Sequence, residues 1–245
     1  MAGTAIAAGP ALDELRGQIR GEVVSDGDPA YAEACQIWNG MIERRPGLVV
    51  RCSGSADVIT AVRFAREAGL PVSVRSGGHN VAGTALCDGG VVVDLTGMRN
   101  VFVDPDRRTV RAAGGARLGD VDHETQAFAL ATPFGVVSKT GIAGLTLNGG
   151  MGFLTRNHGL SCDNLIGADV VTAEGKLVHA DSERNADLLW ALRGGGGSFG
   201  VVTSLEYRLH DLGPRSSWRS PSTRQERGRR ACSPGARSCA TPRTS

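Results

Sequence analysis

Aromatic residues make up only 4% of the 245 residues. Six cysteines (35, 52, 87, 162, 232 and 239) are scattered with no CxxC pair. That pattern argues against a disulfide scaffold or a zinc finger and fits reduced thiols in a cytoplasmic protein. No run approaches the ~20 apolar residues of a membrane span. The amino end lacks the positive and apolar regions of a secretory leader. No strand leads through G-x-G-x-x-G into a helix, and GK[ST] is absent, which speaks against an ordinary NAD site and a Walker loop. The net charge is +2, yet residues 211–245 carry eight arginines and two acids. The body before them is therefore acidic, and no nucleic-acid partner is expected of it.

What the chain has instead is glycine, 35 of them, without a collagen period and set among Val and Ala runs. This suggests α and β elements whose backbones approach closely. LVVRC (48–52) reads as a strand. ADVITAVRFAREA follows as a helix with Ser55 as cap and Val58, Val62, Ala65 and Ala68 on its apolar stripe, and Val72–Val74 begins a second strand: a βαβ unit. NVFVDPDRRTVRAAGG reads as a hairpin around Asp-Pro-Asp, and LIGADVVTAEGKLVHAD as another around Glu174-Gly175. Helices are expected over Leu118–Ala129, with Val121, Thr125 and Phe128 on one face, and over NADLLWALR. A strand is expected over Val201–Leu209.

Three glycine clusters punctuate this pattern. The first joins Val72–Val74 to Val91–Val93 and opens with Arg75, Ser76, Gly77, Gly78, His79 and Asn80. Adjacent glycines allow positive φ, and bare N–H groups in such a turn make an anion-binding concavity. His79 puts an imidazole at its rim. Taken alone, the loop fits a plain glycine-rich turn with a surface histidine better than a nucleotide site. The second cluster lies in 132–164, around the apolar run Ile142–Leu147. The third, RGGGGSFG, feeds the strand at Val201. Glycine at this density implies a backbone lying against something large and flat, or against another backbone.

Four stretches, VRSGGHN (74–80), TGIAGLTLNGGMGFLTRNHGLSCDN (140–164), ADVVTAEG (168–175) and RGGGGSFGVVT (193–203), resemble the berberine bridge enzyme-like oxidases. These belong to the vanillyl-alcohol oxidase / p-cresol methylhydroxylase flavoprotein group. The resemblance covers about residues 43–210 and reverses the order of readings for the first loop. It implies an α+β fold: a two-subdomain FAD-binding domain with a small βαβ subdomain and a mixed or antiparallel sheet subdomain with helices. It divides the chain into a lead-in with a short helix (1–42), the FAD-binding domain (43–211) and a disordered basic tail (212–245).

By this resemblance, Arg75–Asn80 wrap the FAD diphosphate and His79 bonds the flavin 8α carbon. Thr140, Gly141, Gly144, Leu145, Gly149, Gly150 and Gly152 lie along the flavin and its ribityl chain, and Val202 meets the adenine side. Val137 stands where some relatives carry a second, cysteinyl attachment, so one covalent bond is expected. Cys162 reads as a packed residue. The implied activity is oxidation of an alcohol, sugar or secondary metabolite by hydride transfer to flavin, with dioxygen as acceptor. The substrate domain that follows in the family is replaced here by the Arg/Ser/Pro-rich tail, whose composition is that of misread coding sequence. No catalytic base can be assigned, and the expectation is a cofactor-binding fragment inactive by itself.

Overall fold

Runs of β-branched residues without polar alternation need cover on both faces, and the four residues of Val91–Asp94 are all buried. The computed structural model describes residues 10–212. It begins with α1 (Pro10–Gln18), β1 (Glu22–Ser25) and α2 (Tyr31–Ala34). Then come β2 (Leu48–Arg51), α3 (Ser55–Glu67), β3 (Val72–Arg75) and β4 (Val91–Asp94). They form a sheet in the order β1-β2-β4-β3. β2 and β3 both run parallel to β4, Leu48 and Val72 each opposite Val91. The βαβ unit is present, but β4 fills the space between its two strands. β3 is thereby an edge strand whose carboxyl end runs directly into the loop 75–80. β1 pairs antiparallel with β2, so part of the segment 1–42 is built into this sheet.

α3 buries Val58, Ala61, Val62 and Ala65, whereas Ala68 lies past its last turn and is exposed. Ser55 is the first helical residue, not the cap, a position held by Gly54. The head of α3 is fixed by Asp57, whose carboxylate accepts the N–H groups of Arg20 (2.9 Å), Gly21 (3.1 Å) and Ser53 (2.8 Å) and the Ser53 hydroxyl (2.8 Å). Burial raises the pKa of this acid, but these donors outweigh it and hold it below the usual carboxylate value.

The second half opens with the expected hairpin, β5 (Val101–Asp104) and β6 (Thr109–Ala113), followed by α4 (Leu118–Gln126) and β7 (Leu130–Ala131). The helix stops short of Ala129, and Phe128 is 48% exposed, not on the buried face. α5 (Ile142–Leu147), α6 (Thr155–His158), β8 (Leu165–Val171), β9 (Leu177–Ala180), α7 (Ala186–Leu192), β10 (Val201–Arg208) and β11 (His210–Asp211) complete the described chain. The antiparallel sheet has the order β5-β6-β10-β8-β9, with β7 and β11 as a separate ribbon.

Alternation sends Val110, Ala112, Ala168, Val170, Leu205 and Tyr207 into a core shared with Leu118 of α4, Ile142 of α5 and Leu189 of α7. Tyr207 is fully enclosed there, paired with the Thr146 hydroxyl at 2.8 Å and edge-on to Phe134. Val171 and Val201 join the core of α3 and the first sheet, so the two sheets share buried side chains.

Candidate cofactor-binding site

The loop leaving β3 is held by its first two side chains. Arg75 is buried and forms an ion pair with Asp94 of β4 at 2.5 Å. Its other terminal nitrogen donates to the Ala34 carbonyl at the end of α2, also at 2.5 Å. The guanidinium is thus committed to the frame of the loop. The Ser76 hydroxyl donates to the Gly114 carbonyl (2.7 Å). Gly114 returns its N–H to the Thr203 carbonyl (2.9 Å), and a Cβ on it would lie 2.3 Å from the Val202 carbonyl oxygen. The loop is therefore tied to the start of β10 through a fourth glycine site, Gly114-Gly115, which the sequence reading did not single out.

Gly77 meets Gly141 backbone to backbone: a Cβ on Gly77 would sit 2.2 Å from the Gly141 nitrogen. Gly141 in turn bridges to Arg117 and caps α5, and the Thr140 carbonyl accepts the Leu118 N–H (2.9 Å). The third cluster closes on the same helix, since the Gly196 N–H donates to the Leu147 carbonyl at 2.7 Å. All three glycine-rich segments converge.

Their glycines fall into two sorts. Gly77, Gly141, Gly150 and Gly152 are crowded by the protein itself; a Cβ on Gly152 would lie 1.7 Å from the Phe134 carbonyl oxygen, and one on Gly150 2.4 Å from the Ser161 hydroxyl. By contrast, a Cβ on Gly144 or Gly197 would meet nothing within 4 Å, and on Gly149 only Leu160, at 3.8 Å. Leu145 is half-buried beside this open strip, Asn80 is exposed at the end of its loop, and the Val202 side chain is buried.

A cleft of about 590 Å³ is lined by Gly77, Gly78 and His79 on one side and by Trp38, Arg117 and Lys139 on others. The His79 ring stacks on the Trp38 indole, centroids 5.7 Å apart and planes within 18°. Burial, and then the charge of Arg117, push the His79 pKa below its ordinary value, so at neutral pH the ring keeps a free lone pair. Among the described residues, neither Arg117 nor Lys139 has a carboxylate within ion-pair distance. Trp38 and Arg117 carried no sequence signal, Lys139 lies in the second glycine-rich stretch without having been singled out, and the three reach the cleft from three separate segments.

Other polar groups lie outside the cleft. His179 is held between Asp169 (2.7 Å) and Asp181 (3.2 Å) on β8 and its neighbours. His158 stacks on His210, which pairs with Asn164 at 2.7 Å. Cys162 is buried, and burial raises its pKa. Among the described residues no helix is long and apolar enough to cross a membrane, and no cluster of His, Cys, Asp or Glu could hold a metal.

An elongated dinucleotide requires bare main chain along its length, cationic neighbours for its diphosphate, and a floor free of side chains. The loop Gly77-Gly78 and the pair Arg117 and Lys139 supply the main chain and the cations in one cleft, and Gly144, Gly149 and Gly197, outside its lining, are further positions of open main chain. The chain belongs to the FAD-binding domain family, whose model matches residues 46–181. It is similar to the (R)-6-hydroxynicotine oxidase of Paenarthrobacter nicotinovorans, 43% identical over 194 residues, which are 79% of this chain and 42% of that protein. Among solved structures it resembles a chitooligosaccharide oxidase (TM-score 0.76, 32% identity, 82% of this chain and 43% of that one). It also resembles a berberine bridge enzyme-like protein of Physcomitrella patens (TM-score 0.77, 31% identity, 82% and 44%). The chain spans less than half the length of these relatives.

Proposed function

We propose that this chain is the FAD-holding part of an oxidoreductase that removes two electrons from a C–H bond of an alcohol, sugar or secondary metabolite. Dioxygen is the acceptor, and the cofactor is tethered to His79. The observation that carries this reading is one cleft lined by Gly77, Gly78, His79, Arg117 and Lys139, whose glycine loop abuts the second glycine-rich segment at Gly141 and whose imidazole is held neutral by burial and by Arg117. Bound FAD supplies the hydride-accepting ring, and the protein supplies attachment and orientation.

The main chain of Gly77 and Gly78 faces the diphosphate, with Arg117 and Lys139 as counter-charges. The side-chain-free strip of Gly144, Gly149 and Gly197 admits the ribityl and flavin portions. His79 exchanges its ring N–H for a bond to the flavin 8α carbon, which gives up one C–H. The two hydrogens, with their electron pair, pass to dioxygen and leave as hydrogen peroxide. Val137 leaves His79 as a single tether. Loading the chain with FAD and precipitating it in acid tests this: the yellow colour stays in the pellet, and His79→Ala releases it. Colour retained by that variant excludes His79 as sole anchor.

A second reading, a flavin-binding part without turnover, is favoured by the make-up of the cleft. Asp94 is committed to Arg75, Glu33 is solvent-exposed at the rim, and the tether consumes His79. None of these is a buried base facing a substrate C–H or O–H. Substrate-dependent bleaching of flavin by residues 1–245 would overturn it.

A further inference from the structure

Trp38 is 64% exposed and lines the cleft beside His79. Its surroundings are nevertheless ordered around the His79 loop. The Trp38 N–H donates to the Gly78 carbonyl (3.2 Å). On either side, a Cβ on Gly78 would touch Ile37 at 3.6 Å, and the Asn39 amide donates to the Val81 carbonyl (2.8 Å). Residues 37–39 are thus laced to the loop before and after His79. The indole lies parallel to the imidazole at 5.7 Å, and both line the cleft.

We infer that Trp38 is a positioning residue for flavin attachment: its indole fixes the plane of the His79 imidazole so that a ring nitrogen is held toward the incoming 8α carbon. The inference rests on His79 being the attachment point. A lone imidazole on a glycine loop swings about two side-chain bonds, whereas a parallel neighbour removes most of that freedom before the N–C bond forms. The chemistry is the exchange given above, an N–H and a C–H lost for one N–C bond, with dioxygen taking the two hydrogens. Trp38 changes only the geometry from which it starts.

The test compares the full chain with Trp38→Ala, Trp38→Phe and His79→Ala, each purified flavin-free, mixed with FAD in air and quenched in acid over time. Trp38→Ala should slow covalent incorporation roughly 3- to 10-fold, the scale of one lost aromatic pair. Trp38→Phe should restore most of the rate. In the flavin-free protein, proton NMR should show the His79 ring signals losing their ring-current shift in Trp38→Ala. Loading at the wild-type rate after that shift is lost would overturn the inference. So would equal slowing in the Ala and Phe variants together with a lowered melting temperature, which marks a purely structural role. If His79→Ala itself keeps flavin through acid, the attachment reading fails, and the NMR shift still reports whether the rings stack.

Discussion

Gly144 separates two reasons for a glycine. It lies inside α5, where glycine is disfavoured relative to alanine by about 0.5–1 kcal/mol, and a Cβ there would meet nothing within 4 Å. Gly144→Ala should therefore stabilise the flavin-free protein, raising its melting temperature by about 1–4 °C for a chain of this size. If the flavin and its ribityl chain lie on this strip, the same methyl intrudes on them. An overpacked contact costs about 1–3 kcal/mol, so FAD affinity should fall roughly 5- to 150-fold, at 1.4 kcal/mol per factor of ten. Thermal unfolding of the flavin-free protein and a titration following flavin fluorescence measure the two effects separately. A variant that melts higher and binds FAD as tightly as the parent would refute the placement of the cofactor on α5. One that melts lower would show that the space is not open.

Gly77→Ala should behave oppositely. Its Cβ would lie 2.2 Å from the Gly141 nitrogen, forcing two backbones apart and costing about 2–4 kcal/mol before any ligand is added, read by denaturant unfolding. The rate of covalent loading should rise with pH and level off, its midpoint below the ordinary histidine value of about 6.5, because burial and Arg117 favour the neutral ring; a stopped-time series from pH 5 to 8 reads it. Asp57 carries a pKa lowered by its hydrogen bonds against the effect of burial. Its contribution is therefore present above the unfolded carboxylate value of about 4 and lost as pH falls through the folded value. Asp57→Asn should melt lower than the parent at neutral pH, and the gap should shrink in acid.

The local architecture was legible wherever one physical signal dominated. Valine runs gave β2, β3 and β4, Asp-Pro-Asp and Glu174-Gly175 gave the two hairpins, and Asp-Leu-Leu-Trp gave α7. The failures share a cause: they depend on partners distant in the chain. β7 and β11 are two residues each and exist only because they pair with one another. Phe128 and Ala68 follow their helices' periodicity but lie beyond the last helical residue. That β4 inserts between α3's own pair of strands is a choice of topology that no local pattern encodes. At the site, His79 and the glycine clusters gained meaning from the resemblance, and their convergence required coordinates. Gly77, Gly141 and Gly152 prove to be spaces for neighbouring main chain and not for a ligand, a distinction that composition cannot draw. The arginine-rich segment after residue 212 lies outside the described residues.

The bond from Ser76 to Gly114 and the abutment of Gly77 on Gly141 join the edge of one sheet to the helix and strand of the other. On the proposed placement, the seam between the halves is also the floor on which the cofactor would rest. Ligand affinity and the cohesion of the halves would then be a single equilibrium: whatever prised the sheets apart would dismantle the cradle, and occupancy of the cradle would rivet the sheets together.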